Sequence, residues 1–374
     1  MTLADLPTPA LVLDAERMRR NIGRMRGRLT DLRVGFRAHV KTCKSIEVAR
    51  ELMSSPTGPI TVSTLREAEQ FFAHGVTDIL YAVGIAPGKL AQVTGLRRRG
   101  CDLTVILDSV AAANQVSQHA EATGIDIPVL IEVDTDGQRA GVPPDDPALT
   151  AIAAALRGRA SLRGVMTHAG ASYDCRGAEA LAAMAEQERA GAVHAATRLR
   201  DAGHPSPVVS VGSTPTALSA RDLSGVTEVR AGVFVFFDLV MAGIGVCSLD
   251  DVALSVLATV IGHRADRGVL VTDAGWMALS RDRGTARQSV DQGYGIVLDA
   301  DGTPLPGLWM SEASQEHGII AARDGAAIDF TRFPLGTRMR ILPNHACATA
   351  AQHGAYEVIE RGRPVGRWER FGGW

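Results

Sequence analysis

The stretch VGFRAHVKTCK, residues 34–44, starts as an apolar-rich run and ends in His39, Lys41 and Lys44. Such a run reads as a β-strand feeding a polar loop. A loop of this kind sets an amine at the rim of a sheet. Partial burial there favours the neutral amine, which can condense with a carbonyl group. The remaining motifs make sense as parts assembled around that amine.

The same texture repeats outward from this stretch. Apolar strand candidates fall at 34–40, 60–63, 78–83, 103–107, 128–133, 163–167, 208–211 and 227–231. Helical spacing of apolar residues separates most of them, at 65–73, 86–98, 110–122, 148–156, 178–202 and 215–219. Strand and helix in alternation, with short apolar strands, imply a parallel sheet. Eight such units favour an α/β fold closed as a (β/α)8, TIM-like barrel over an open doubly wound sheet. No GxGxxG follows the first strand, which weakens the dinucleotide-fold alternative. Before the rhythm begins, residues 11–14 read as a short strand and 15–30 as a helix.

After about residue 244 the pattern changes. Strand candidates at 252–259, 268–273, 295–298, 338–342 and 355–359 are separated by Gly, Asp and Pro turns rather than long helices. The expected organisation is a barrel over residues 15–244 and a β-rich C-terminal domain over 245–374, which the early strand at 9–14 joins.

The totals agree with this outline. A chain of 374 residues fits one large barrel plus a smaller domain. Thirty-nine Lys and Arg face 41 Asp and Glu, a formal charge of −2, so no basic field favours nucleic acid. Five cysteines, Cys43, Cys101, Cys175, Cys247 and Cys347, are odd in number and widely spaced. That argues against a disulfide framework and for a reducing, cytoplasmic setting. The N-terminus lacks the apolar run of a signal peptide, and no apolar stretch reaches the roughly 18 residues of a membrane span.

Chemistry in such a barrel sits at the C-terminal ends of the strands. That rule nominates His39 and Lys41 after strand one, Arg139 in DTDGQRAG after strand five, and His168 and Tyr173 in THAGASY after strand six. It also nominates Gly212, Ser213 and Thr214 in VGSTPT after strand seven. There, glycine lets backbone N–H groups approach an anion, and the hydroxyls add donors. A plain helix N-cap explains the same Ser-Thr-Pro run. An amine and a phosphate cradle on one rim suggest pyridoxal phosphate, with Arg139 as a cation beside its phenolate oxygen. For Lys41 and Arg139 the competing readings are a solvated lysine and a rim ion pair; His168 and Tyr173 can equally be satisfied core groups.

The C-terminal domain carries ILPNHACAT, with His345 and Cys347 two residues apart. In an extended segment both side chains point to one face. Imidazole with thiolate favours zinc among common divalent ions, and two protein ligands leave positions open for water or substrate. A buried cysteine beside a core histidine is the plainer alternative. Asn344, Glu316 and His317 are candidate supporting groups. Arg281 and Arg283 are candidates for holding a substrate carboxylate, with surface pairing as the alternative.

Taken in order, PTPALVLD, RAHVKTCKS, ITVSTLREAEQFF, DTDGQRAGV, THAGASY, VVSVGSTPT, DAGWMALSRDRG and PNHACAT resemble the fold-type III pyridoxal phosphate enzymes. Within these, they resemble the group of D-serine dehydratases, D-threonine aldolases and 3-hydroxyaspartate dehydratases. The resemblance implies an alanine racemase-like fold, with Lys41 holding the cofactor and moving the α-proton. It assigns Arg139 and Tyr173 to the ring, Gly212, Ser213 and Thr214 to the phosphate, and His345 and Cys347 to a divalent metal (zinc first, then Mn, Co or Mg). It implies dehydration of a D-3-hydroxy amino acid to a 2-oxo acid and ammonia, with retro-aldol cleavage as the alternative, and a homodimer. Cys347, where aldolases of the group tend to have Asp, favours the dehydratase. Ala38, Cys43 and Ala171 depart from the group's usual residues, and Ala171 bears on the pocket and so on substrate range.

Overall fold

The computed structural model describes residues 2–374. The chain divides into two compact units: Arg24–Gly232 with the last two residues, and the residues up to Gly23 with Val233–Gly372.

In the first unit, eight parallel strands close into a barrel: Gly35–His39, Ile60–Val62, Asp78–Gly84, Asp102–Leu107, Ile127–Val133, Ala160–Thr167, Val208–Val211 and Glu228–Ala231. Closure is direct, because Gly35–Ala38 pair in register with Glu228–Ala231. Every residue of Ile127–Val133 is buried, as expected for a strand covered on both faces. Inside, Leu80, Ile106, Leu130 and Met166 form a buried cluster. Two glycines permit the closest strand approaches. A Cβ on Gly164 would stand 1.9 Å from the Val208 carbonyl oxygen, and one on Gly212 would stand 2.0 Å from that of Arg230. Both lie at positive φ, 142° and 138°. At the N-terminal end Arg37 bridges Glu228, at 2.9 and 3.0 Å, and Asp78, at 2.6 Å.

Helices follow the strands at Ile46–Leu52, Leu65–Ala73, Leu90–Arg98, Val110–Thr123, Ala148–Ala155, Ala178–Asp201 and Thr214–Ser219. The first has no counterpart in the sequence reading. Its seven residues, IEVAREL, are too few to establish a helical period. The expected helix at 86–98 begins later, because a 3-10 turn over Pro87–Lys89 precedes it.

The second unit holds a nine-stranded sheet in the spatial order Val269–Thr272, Gly318–Ala322, Pro304–Ala313, Gly295–Asp299, Arg338–Leu342, Leu254–Arg264, Ala10–Asp14, Ala355–Glu360 and Arg363–Glu369. Val269–Thr272 also pairs with Leu254–Arg264, so that end of the sheet closes on itself. Ala10–Asp14 runs antiparallel to Leu254–Arg264 and parallel to Ala355–Glu360. Three of these strands were not expected. Pro304–Ala313 contains two prolines and a glycine, Gly318–Ala322 is short and Ala-rich, and Arg363–Glu369 is an edge strand with Pro364 and Gly366. Among the described residues no helix is long and apolar enough to cross a membrane.

Candidate functional site

The C-terminal mouth of the barrel encloses a cavity of about 310 Å³. Its wall includes His39, Lys41, Glu132, Arg139, His168, Gly212 and Arg230. Lys41 is presented by a turn in which the Lys44 N–H donates to the Val40 carbonyl at 2.8 Å, with Lys44 at φ 44°. The two lysines of the motif therefore separate. Lys41 lines the cavity, whereas the Lys44 ammonium lies 3.2 Å from the buried Glu67, which also accepts the Ser63 N–H at 3.1 Å. Burial, with Lys41 nearby, holds the His39 pKa well below the ordinary imidazole value. The same two causes take His168 to about 3. Both rings are neutral at physiological pH.

Charge in the wall is unbalanced. Lys41, Arg139 and Arg230 face a single carboxylate, Glu132. Arg139 is largely exposed and lies 3.5 Å from Glu132 Oε1. Arg230 is buried and pinned, with Nη1 donating to Ser210 Oγ at 2.6 Å and Nη2 to the Thr167 carbonyl. Burial lowers the Arg230 pKa and raises that of Glu132. A small cavity with surplus positive charge suits an anionic small molecule.

Of the VGSTPT residues, Gly212 lines the cavity. Ser213 caps the helix Thr214–Ser219, accepting the Thr216 N–H at 3.2 Å, and contacts Ser172 Oγ at 2.9 Å. Thr214 is buried at the first helical position. The Gly212 N–H donates to Glu188 and the Ser213 N–H to Thr216 Oγ1, so both amides already have acceptors within the protein. Tyr173 ends a short 3-10 turn, its ring centroid 6.4 Å from that of His168.

In the other unit, His345 and Cys347 meet by a route the extended-strand expectation missed. His345 is the N-cap of the helix Ala346–Ala350, and Cys347 lies in its first turn. The two side chains hydrogen-bond. His345 Nδ1 lies 2.6 Å from Asp282 Oδ2. Burial opposes charge on this ring, yet Asp282 and Cys347 push its pKa up to about 11. The same contact with His345 lowers the Asp282 pKa. Asp238, buried, accepts the Ala346 N–H at 2.9 Å and the Met241 N–H at 3.0 Å, fixing the start of the helix. No third His, Cys, Asp or Glu completes a metal-holding group among the described residues.

Asn344 is structural: its side chain donates to the Gly293 carbonyl and accepts from Thr285 Oγ1. Arg283 pairs with Asp291 at 2.6 Å, and Arg281 stacks over Trp276, centroid distance 4.9 Å.

Residues 13–240 match the family profile for the alanine racemase N-terminal domain, and residues 253–359 match that of the serine dehydratase domain. The chain belongs to the alanine racemase-like D-serine dehydratase family. D-threo-3-hydroxyaspartate dehydratase from Delftia sp. (strain HT23) is 60% identical, with 100% of this chain and 99% of that protein covered. The solved structure of D-threo-3-hydroxyaspartate dehydratase from Delftia sp. HT23 superposes with a TM-score of 0.98 over the full length of both chains. A cysteine-to-alanine mutant of the same protein has been solved in the metal-free form. D-serine dehydratase from Dictyostelium discoideum is 31% identical, covering 96% of this chain and 95% of its own. D-threonine aldolase from Filomicrobium marinum, 27% identical, aligns at a TM-score of 0.81 over 99% and 96%.

In this member of the family, five residues escaped the sequence reading: Glu132, Glu188, Arg230, Asp238 and Asp282. Glu132 and Arg230 sit inside apolar strands, where a charged residue at an inward position was the available signal. Asp282 stands between the two arginines that were considered for a substrate carboxylate.

Proposed function

We propose that the chain is a carbon–oxygen lyase that converts D-3-hydroxy amino acids, D-threo-3-hydroxyaspartate foremost, to a 2-oxo acid and ammonia, using pyridoxal 5'-phosphate and a divalent metal. The observation that carries this reading is the combination of one cationic cavity holding Lys41 with a separate imidazole–thiol pair backed by a carboxylate. Full-length similarity to a dehydratase at 60% identity supports it.

Both groups fit the residues present. The cavity offers a primary amine and a cationic surplus suited to a phosphorylated aldehyde. Lys41 would hold the cofactor through its amine. Arg139, His39, His168 and Tyr173 would surround the ring, and the loop Gly212–Thr214 would take the phosphate through groups other than the Gly212 and Ser213 amides, which already have acceptors. The pair offers donors suited to borderline divalent ions, zinc first, and His345 with its Nδ1 committed to Asp282 keeps Nε2 for the ion. When bound, the pyridine ring supplies an electron sink for charge at Cα, and the ion supplies the Lewis acidity that makes a β-hydroxyl a leaving group. Lys41 moves the Cα proton. Arg230, pinned by Ser210 and Thr167, keeps a fixed positive charge in the wall. His345 and Cys347 would hold such an ion with two protein donors only, which would leave it able to take a further oxygen donor.

The cofactor-binding barrel is assigned to residues 15–244 and the metal-carrying domain to 245–374 with 9–14. A homodimer in the cytoplasm completes the proposal; sedimentation showing only monomer would refute the dimer. The five cysteines form no disulfide, which suits a reducing compartment.

The test is a parallel assay of ammonia and glycine with D-serine, D-threonine and the hydroxyaspartate stereoisomers. Ammonia with a 2-oxo acid is expected, and chelation should abolish turnover while the cofactor's absorbance persists. Glycine as the main product would instead establish the aldolase.

A further inference from the structure

Among the buried residues of the helix Ala178–Asp201, Glu188 is the charged one. Burying a carboxylate costs several kcal/mol unless hydrogen bonds satisfy it. Its partners account for its presence. A single oxygen, Oε1, accepts the N–H of Ala169 at 2.9 Å and that of Gly212 at 3.0 Å, and Thr216 is a further side-chain partner. These amides belong to the loops after the sixth and seventh barrel strands. Each loop places one residue in the wall of the Lys41 cavity, His168 and Gly212. The Gly212 carbonyl completes the connection, lying 2.9 Å from His168 Nδ1. A carbonyl only accepts, so the proton resides on Nδ1, and in the neutral ring Nε2 carries the lone pair.

We propose that Glu188 is a positioning residue that fixes His168 as the Nδ1–H tautomer and so gives the cavity a bare Nε2 as an oriented proton acceptor. The rest of the wall explains the value of such an atom. Lys41, Arg139 and Arg230 donate, and the one carboxylate, Glu132, is engaged by Arg139. Nε2 is then a neutral acceptor for a donor group on a bound small molecule, beside the charged Glu132, which Arg139 contacts through Oε1 alone. The inference rests on reading this cavity as the reaction site, and it specifies which atom accepts rather than which reaction occurs.

The geometry dictates an unusual substitution pattern. Because both amides share one oxygen, the lone carbonyl oxygen of a glutamine can serve both, and the Thr216 hydroxyl can accept from its NH2 group. Charge on Glu188 is therefore dispensable, and its acceptor oxygen is not. The experiment is 15N NMR of cofactor-loaded enzyme labelled at its ten histidines, with His168→Gln assigning the resonance. Wild type should show Nδ1 protonated and Nε2 bare at His168. Glu188→Gln should retain that signature and most of the turnover. Glu188→Ala should lose it, with kcat falling about tenfold or more and KM changing less. An Nε2-protonated His168 in wild type, a Gln variant that behaves like the Ala variant, or an Ala variant with the signature intact would each overturn the proposal. Should Glu188→Ala fail to fold, the wild-type and Gln spectra still decide. The spectra do not depend on which product forms, so failure of the dehydratase reading would appear separately, in the ammonia assay.

Discussion

Asp282 decides which nitrogen of His345 is available to a metal. Its Oδ2 lies 2.6 Å from Nδ1, so the ring is anchored there and Nε2 is the nitrogen left on the side of Cys347. Partners of this kind typically tune metal affinity by about 10–100-fold when removed. Asp282→Asn should weaken metal binding by that order in a competition titration against a chromogenic chelator, and Cys347→Ala should abolish it, both without loss of the cofactor's absorbance. Unchanged affinity in Asp282→Asn would remove Asp282 from the site. This residue shows why part of the site was unreadable. His345 and Cys347 drew notice as an imidazole and a thiol two residues apart, a weak signal when taken alone, whereas an Asp between two Arg looks like ordinary surface charge. Lys41 and Lys44 make the same point. The loop was legible as an amine-bearing rim, but what separates the lysines in space is Glu67, more than twenty residues away in sequence and claiming Lys44.

At the scale of the element, the barrel is readable because its strands are short apolar-rich runs and a helix follows each of the first seven, so the two periods alternate. The β-rich unit is less so. Pro304–Ala313 carries mostly exposed or half-buried residues, and its identity as a strand comes from its neighbours Gly295–Asp299 and Gly318–Ala322 rather than from any alternation of its own. Of the two glycines that let barrel strands approach, Gly212 was read as part of an anion loop and Gly164 was silent, since glycine marks many kinds of turn. Gly164 is the cleanest case. It sits mid-strand at φ 142°, where a Cβ would lie 1.9 Å from the Val208 backbone oxygen. Backbone on both sides cannot step aside as a flexible side chain could. Gly164→Ala should cost about 2–4 kcal/mol, read as a lower denaturation midpoint in urea. An unchanged midpoint would show that the sixth and seventh strands are not packed this closely.

For the molecule as a whole, the buried titratable groups of the barrel set how stability responds to acid. His39 and His168 stay neutral in the fold, with pKa values pushed below the ordinary 6.5, to about 3 for His168. Below pH 6.5 the unfolded chain therefore binds protons that the folded barrel refuses, and stability falls as pH falls. Glu132 and Glu188 act with the opposite sign. Burial raises their pKa above the ordinary 4.5, so above that value the fold holds protons that the unfolded chain releases. Acidification toward 4.5 therefore favours the fold through these two groups, opposing the histidines. Below about 4.5 the glutamates are protonated in both states and their contribution is constant. The histidines continue, each at about 1.4 kcal/mol per pH unit until its folded pKa is reached, and Asp282, its pKa lowered by His345, adds a loss of the same sign as it protonates. Denaturant titrations of the cofactor-free protein should thus show stability falling more steeply per pH unit below 4.5 than between pH 6.5 and 4.5. His168→Gln should make that lower slope shallower. A steep loss confined to the upper window would mean that the glutamates are not held protonated, and a flat profile down to pH 3 would mean that the histidines are not held neutral.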